Sequence, residues 1–126
     1  MIDHTSVAVS DFEKSKAFYT KALAPLGYTL GMDLPQYKAA GFKDRGSDRQ
    51  DFWFGAVEKP APVHVAFAAQ SKEEVDNFHA AAVAAGGKDN GAPGYRKDYS
   101  PGYYGAFVHD MDGNNIEAVW RDPSKK

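Results

Sequence analysis

The sequence predicts an α+β fold of paired βαβββ modules in mostly antiparallel sheet. Three observations carry this: a repeat at an offset of 60 residues, a capped amphipathic helix in each copy, and short β-rich segments after each helix. Superposing the chain on itself at that offset aligns His4 with His64, Ala8 with Ala68, Glu13 with Glu73, Phe18 with Phe78, Ala22 with Ala82, Ala24 with Ala84 and Gly27 with Gly87. Chance at typical composition gives roughly two identities over such a window, so the seven found from His4 to Gly27 mark a duplicated unit.

Each copy opens with an alternating strand that begins at its histidine. In the first, Asp11 caps a helix whose stripe is Phe12, Ala17, Phe18, Ala22 and Leu23, and Pro25 with Gly27 ends it. In the second, Ser71 and Glu74 form a capping box, Val75, Phe78, Ala82 and Val83 form the stripe, and Gly86-Gly87 stops it. Aromatic and β-branched segments bounded by turn signals predict strands near 28–33, 36–43, 50–57, 88–92, 103–109 and 115–121. The Gly- and Pro-punctuated stretch from Asp89 to Gly102, which carries Tyr95, Arg96, Lys97 and Tyr99, reads as a loop. At 126 residues the chain is expected to be one domain, with module 1 about 1–58 and module 2 about 62–122.

Composition excludes several classes. With 15 basic and 17 acidic side chains interspersed, there is no concentrated basic face, so no nucleic-acid partner is expected. No segment is long and apolar enough for a membrane helix and none reads as a signal peptide, so a cytoplasmic location is expected. The absence of cysteine removes disulfides, thiolate metal sites and thiol nucleophiles, leaving His, Asp and Glu as the strong metal ligands.

Three of those stand out. His4 and His64 begin equivalent strands, and a pseudo-two-fold would bring them to equivalent places in one cleft. Glu117 lies in the apolar strand Asn115-Ile-Glu-Ala-Val-Trp120, where a carboxylate is costly unless paired or bound to metal. Two imidazoles and a carboxylate form a facial set that leaves positions open on a divalent ion. For isolated residues such as His79 and His109 a structural or exposed role is the expectation.

The opening Asp3-His-Thr-Ser-Val-Ala-Val-Ser-Asp11, the central His64-Val-Ala-Phe67 and the closing Asp110-Met-Asp-Gly-Asn-Asn-Ile-Glu117 resemble the vicinal oxygen chelate superfamily: glyoxalases, extradiol dioxygenases, fosfomycin-resistance enzymes and bleomycin-binding proteins. The resemblance implies a glyoxalase/dihydroxybiphenyl dioxygenase-like fold, with modules cupped around one divalent ion (Zn, Ni, Mn, Co or Fe(II)) held by His4, His64 and Glu117. It further implies a homodimer and a small-molecule substrate chelated through vicinal oxygens, with Glu117 and Tyr103 catalytic and Trp53, Tyr103 and Phe107 against the substrate. Arg96, by its residue type and its place on the Asp89–Gly102 loop, reads as an anchor for an acidic substrate or as part of a solvated basic pair with Lys97.

Two departures bear on the chemistry. Glyoxalase I enzymes carry a second Glu in the last strand of module 1, where this chain has Trp53, with Asp51 on the same parity but a pleat early. Where related enzymes place a Tyr ten residues before the metal-binding Glu, this chain has Phe107, and Tyr103 shares its parity. The resemblance thus implies a glyoxalase-like metalloenzyme doing lyase, isomerase or addition chemistry. The alternatives are a metal-independent binder of bleomycin-resistance type, holding a planar ligand among Tyr95, Tyr99, Tyr103 and Trp53, and an Fe(II) extradiol-type dioxygenase.

Overall fold

The computed structural model describes residues 1–125. Its elements are β1 (Thr5–Val9), α1 (Phe12–Ala22), β2 (Thr29–Leu34), β3 (Ala39–Lys43), β4 (Phe52–Ala56), β5 (His64–Ala68), α2 (Lys72–Ala84), β6 (Lys88–Tyr95), β7 (Tyr103–His109) and β8 (Asn115–Arg121). They make two four-stranded sheets, ordered β1-β4-β3-β2 and β5-β8-β7-β6. Each sheet has one parallel pair, β1 with β4 or β5 with β8, and two antiparallel pairs.

Local chemistry accounts for the helices. The Asp11 carboxylate accepts from the Lys14 N–H and the Ser71 hydroxyl from the Glu74 N–H, filling donors that a helix start leaves open. Glu74 reaches back to the Gln70 N–H, one residue before the cap, rather than closing a box on Ser71 itself. The first stripe also differs from expectation: Ser15 and Tyr19 are buried while Ala17 is exposed. A large ring four residues after Ser15 fills more of the interface than a methyl group, and Tyr19 packs on Phe42, Phe52 and Phe54.

The strands differ from expectation mainly at β6. It continues through Gly91, Pro93 and Gly94 to Tyr95, with register shifts against β7 between Asp89 and Gly91 and again between Gly91 and Gly94. As an edge strand it tolerates a missing donor and inserted residues, so the composition that reads as a loop is accommodated as a bulged strand. Residues 35–37 form a 3₁₀ turn instead of starting β3.

Alternation along each strand sends one set of side chains inward. Val7, Val9, Phe42, Phe52 and Phe54 of the first sheet and Phe67, Ala106, Val108, Ile116 and Ala118 of the second belong to one core. The helices pack on each other between the sheets, and Phe67 joins the halves directly, its ring 5.1 Å from both Tyr28 and Phe52. The helix-covered faces therefore turn toward each other. The opposite faces, bearing Ser6 and Trp53 on one sheet and His64 and Glu117 on the other, are turned outward.

A polar latch fixes the halves at a second point. Asp110 and Asn114, both buried, close the β7–β8 turn on themselves: Asp110 Oδ1 accepts from the N–H groups of Asp112 and Asn114. From that turn Asn114 Nδ2 donates to the Ala8 carbonyl at 3.0 Å, and Asn114 Oδ1 accepts from the Val63 N–H at 2.9 Å. Tyr19 donates to Asp110 Oδ2 at 2.5 Å, and the Ser10 N–H to Asp112. Burial first, and then the Asp110 carboxylate, hold the Tyr19 phenol well above its ordinary pKa.

Candidate functional site on the outward face of the second sheet

Glu117 is 1% exposed although it lies on the outward face. Its carboxylate is kept there by two partners. His64 Nε2 lies 2.8 Å from Oε1, and the Tyr103 hydroxyl donates to Oε2. The strand register explains the meeting: Glu117 pairs with Ala66 on β5 and Phe107 on β7, so His64 is one pleat away on one side and Tyr103 two pleats along on the other. Gly105, between Tyr103 and Phe107, makes room for both groups, because a Cβ there would lie 3.1 Å from the Tyr103 ring and 3.4 Å from Glu117 Oε2.

Burial, and then the hydrogen bond to Glu117, push the Tyr103 phenol far above its usual range. At neutral pH it is a neutral donor. The His64 side chain is about half exposed, 52%, so this imidazole bridges the buried carboxylate and solvent. Phe107 lies beside it, ring centroids 6.3 Å apart. Tyr99 meets Tyr103 edge-on at 5.0 Å, and the guanidinium groups of Arg96 and Arg121 lie over Phe107 and Tyr103 at 5.4 and 5.0 Å.

His4 does not join this group. It lies just before β1, its Nδ1 2.8 Å from Asp3 Oδ1, and Asp3 also takes a hydrogen bond from Arg49. The His4 hydrogen bond and the Arg49 charge hold the Asp3 carboxyl below its ordinary pKa. Among the described residues no three His, Asp or Glu side chains gather where one ion could be held by all of them. Trp53 is also on the other sheet. It pairs with Ser6 as Glu117 pairs with Ala66, positions 60 residues apart, so Trp53 stands in module 1 where Glu117 stands in module 2.

Asp51 turns away from the outward face: its Oδ2 accepts from the Tyr28 hydroxyl at 3.1 Å, and its Oδ1 is buried with no partner among the described residues. It lines a groove of about 380 Å³ with Asp3, Thr5, Tyr28, His64 and Phe67, between the start of β1 and β5. Tyr95 faces the core side, donating to Asp122 and packing on Tyr104, so it is no part of the Glu117 face. Sequence reasoning did not single out Arg121, which parity places on the outward face opposite Tyr103. It also did not foresee that the Asp110–Asn114 motif works as a latch between halves. His79 pairs with Asp89 at the surface.

Residues 1–118 match the family model described as Glyoxalase/Bleomycin resistance protein/Dioxygenase superfamily. A glyoxalase/bleomycin resistance protein from Albidiferax ferrireducens is 34% identical, with TM-score 0.77, covering 94% of this chain and 98% of its own. A hypothetical protein from S. aureus is 26% identical, with TM-score 0.67, over 91% of this chain and 92% of its own. A glyoxalase I mutant from Zea mays is 25% identical, with TM-score 0.69, over 94% of this chain and 46% of its own. No curated protein matches. By its family match, its shared fold and its level of identity, the chain belongs to the Glyoxalase/Bleomycin resistance protein/Dioxygenase superfamily.

Proposed function

We propose that the protein is a divalent-metal-dependent, glyoxalase-like enzyme acting on a small molecule, with its complete site assembled between two copies of the chain. The observation that carries this is Glu117, a carboxylate buried on an outward sheet face and engaged by an exposed imidazole and a neutral phenol. Burying such a group is costly, and the hydrogen bonds offset only part of that cost. His64 and Glu117 supply nitrogen and oxygen donors suited to Zn, Ni, Mn, Co or Fe(II).

Two donors do not make a site, and among the described residues one chain brings no third to them. His4 starts the equivalent strand on the other outward face, so a second copy laid face to face would bring its own His4 and Trp53 to the Glu117 face. The residues fit a metal in that assembly: His64 and Glu117 from one copy, His4 from the other. When bound, the ion would polarise vicinal oxygens of the substrate. Glu117 would accept a proton, Tyr103 would hold one on its hydroxyl and orient the carboxylate, and Phe107 and Trp53 would exclude water.

A second reading, a metal-independent binder, draws on the aromatic surface of Tyr99, Tyr103 and Phe107. Elemental analysis of protein purified without chelator separates the two. Near-stoichiometric metal is expected in the parent and its loss in His4→Ala, His64→Ala and Glu117→Ala. The mixed dimer of His4→Ala and Glu117→Gln chains, isolated through a different tag on each chain, is expected to hold about half the parent's metal, because one of its two shared sites is intact. A parent that stays metal-free, with a thermal midpoint unmoved by divalent ions, overturns the metalloenzyme reading and leaves the binder.

A further inference from the structure

The bulges of β6 build something specific. Where the register slips at Gly91 and Gly94, the chain turns Arg96 back over its own strand, and its guanidinium sits on those two glycines. A Cβ at Gly91 would lie 3.2 Å from Arg96 Nη2 and 2.9 Å from the Phe107 ring, and one at Gly94 would lie 3.1 Å from Arg96 Nη1. A side chain at either position would crowd the seat and push the guanidinium from it by a few tenths of an ångström. Arg96 Nη2 donates to the Ala92 carbonyl at 2.7 Å, which fixes the plane of the group.

A guanidinium carries five N–H donors in a rigid fork, and Arg96 makes no ion pair among the described residues, with Asp98 two positions on included. It lies over Phe107, whose other neighbour is the His64 ring. One aromatic plate thus has the His64–Glu117 pair along one side and an uncompensated, positioned cation along the other. Asn90, Asn115 and Tyr99 line a hollow with Arg96 and Phe107. Arg121, over Tyr103, adds a second cation that also makes no ion pair among the described residues.

We propose that the ligand of this face carries an oxyanion beside a flat apolar body, and that Arg96 is the residue that selects it. The flat body would rest on Phe107 while the oxyanion takes the free N–H groups of Arg96 as a forked pair. This rests on the Glu117 face being the ligand site.

The test is a calorimetric titration with three probes: benzoylformate, phenylphosphonate, and the neutral methyl benzoylformate, which keeps the ring and the vicinal oxygens but loses the charge. The titrations are run with zinc and again with chelator, on the parent and on Arg96→Gln, Arg96→Lys and Gly91→Ala. The parent is expected to prefer at least one anion over the ester by about tenfold or more, the scale of one charge-assisted hydrogen bond. Arg96→Gln should abolish most of that preference without weakening the ester. Arg96→Lys should keep part of it, and Gly91→Ala, which retains the charge but fills its seat, should reduce it. Comparing the two anions tells carboxylate from phosphonate recognition. Equal affinity for anion and ester in the parent, absence of anion binding, or a preference unchanged in Arg96→Gln overturns the proposal. Metal content of Arg96→Gln is measured alongside. Failure of the metal reading leaves the Arg96 dependence visible with chelator, whereas failure of the Arg96 reading leaves the metal in place.

Discussion

Replacing Asn114 by alanine tests whether the β7–β8 turn is a structural latch. The wild-type side chain is fully buried and makes three hydrogen bonds: to the Ala8 carbonyl, to Asp110 Oδ2 and from the Val63 N–H. Each removed bond costs about 1 kcal/mol net, and the one to a carboxylate somewhat more. Two of the partners left behind are part-buried main-chain groups, and water entering the vacated space recovers part of their penalty. The expected loss is about 3–4 kcal/mol, a large share of the roughly 5–15 kcal/mol that holds an ordinary domain together. Urea unfolding at one fixed protein concentration, which keeps any association constant, reads this as a lowered midpoint at unchanged slope. Asn90→Ala is the control: it removes a single exposed bond of 3.3 Å to Asn115, and about 0.5 kcal/mol or less is expected. A loss under about 1 kcal/mol in Asn114→Ala would show that Asn114 holds neither the turn nor the Ala8 strand and would refute its part in the latch.

Other substitutions probe other joints of the structure. Phe67→Ala removes the ring that touches both Tyr28 and Phe52 and should cost about 3–5 kcal/mol by thermal or urea unfolding; a cost near 1 would mean the halves pack without it. Ser71→Ala deletes the α2 cap and should lower stability by about 1 kcal/mol, with Ser71→Asp restoring it. The Tyr104 phenol is pushed up to about 12 by burial and then by its hydrogen bond to Asp76. Because the unfolded phenol ionises near 10, the unfolded chain gives up this proton first as pH rises. The stability from Tyr104 is therefore intact below pH 10 and is lost between about 10 and 12. Urea midpoints should fall across that window, and the fall should be shallower in Tyr104→Phe; identical slopes for the two proteins would contradict the assignment.

What the sequence revealed and what it hid divide along physical lines. The repeat, the caps and the inward alternation are local or periodic signals, and the structure expresses them at Asp11, Ser71 and the two sheet cores. The correspondence of Trp53 with Glu117 comes from the family resemblance, and the pairing of Ser6 with Trp53 and Ala66 with Glu117 agrees with it. Parity could not tell which way the two sheets face, because that depends on how α1 and α2 pack between them. Hence the separation of His4 from His64 and Glu117 within one chain was not legible. The extension of β6 through Pro93 and Gly94 was hidden for another reason: residues that discourage a central strand are acceptable on an edge, and edge position is a property of the whole sheet.

The irregular outer margins of the sheets have a consequence for solubility. A straight edge strand is a template on which another chain can add and start an aggregate. At one edge of each sheet, β2 slips register between Leu30 and Met32, and β6 slips twice and carries Pro93, so neither of these two edges offers an even row of donors and acceptors. Open-ended growth by strand addition at these two edges is thereby disfavoured.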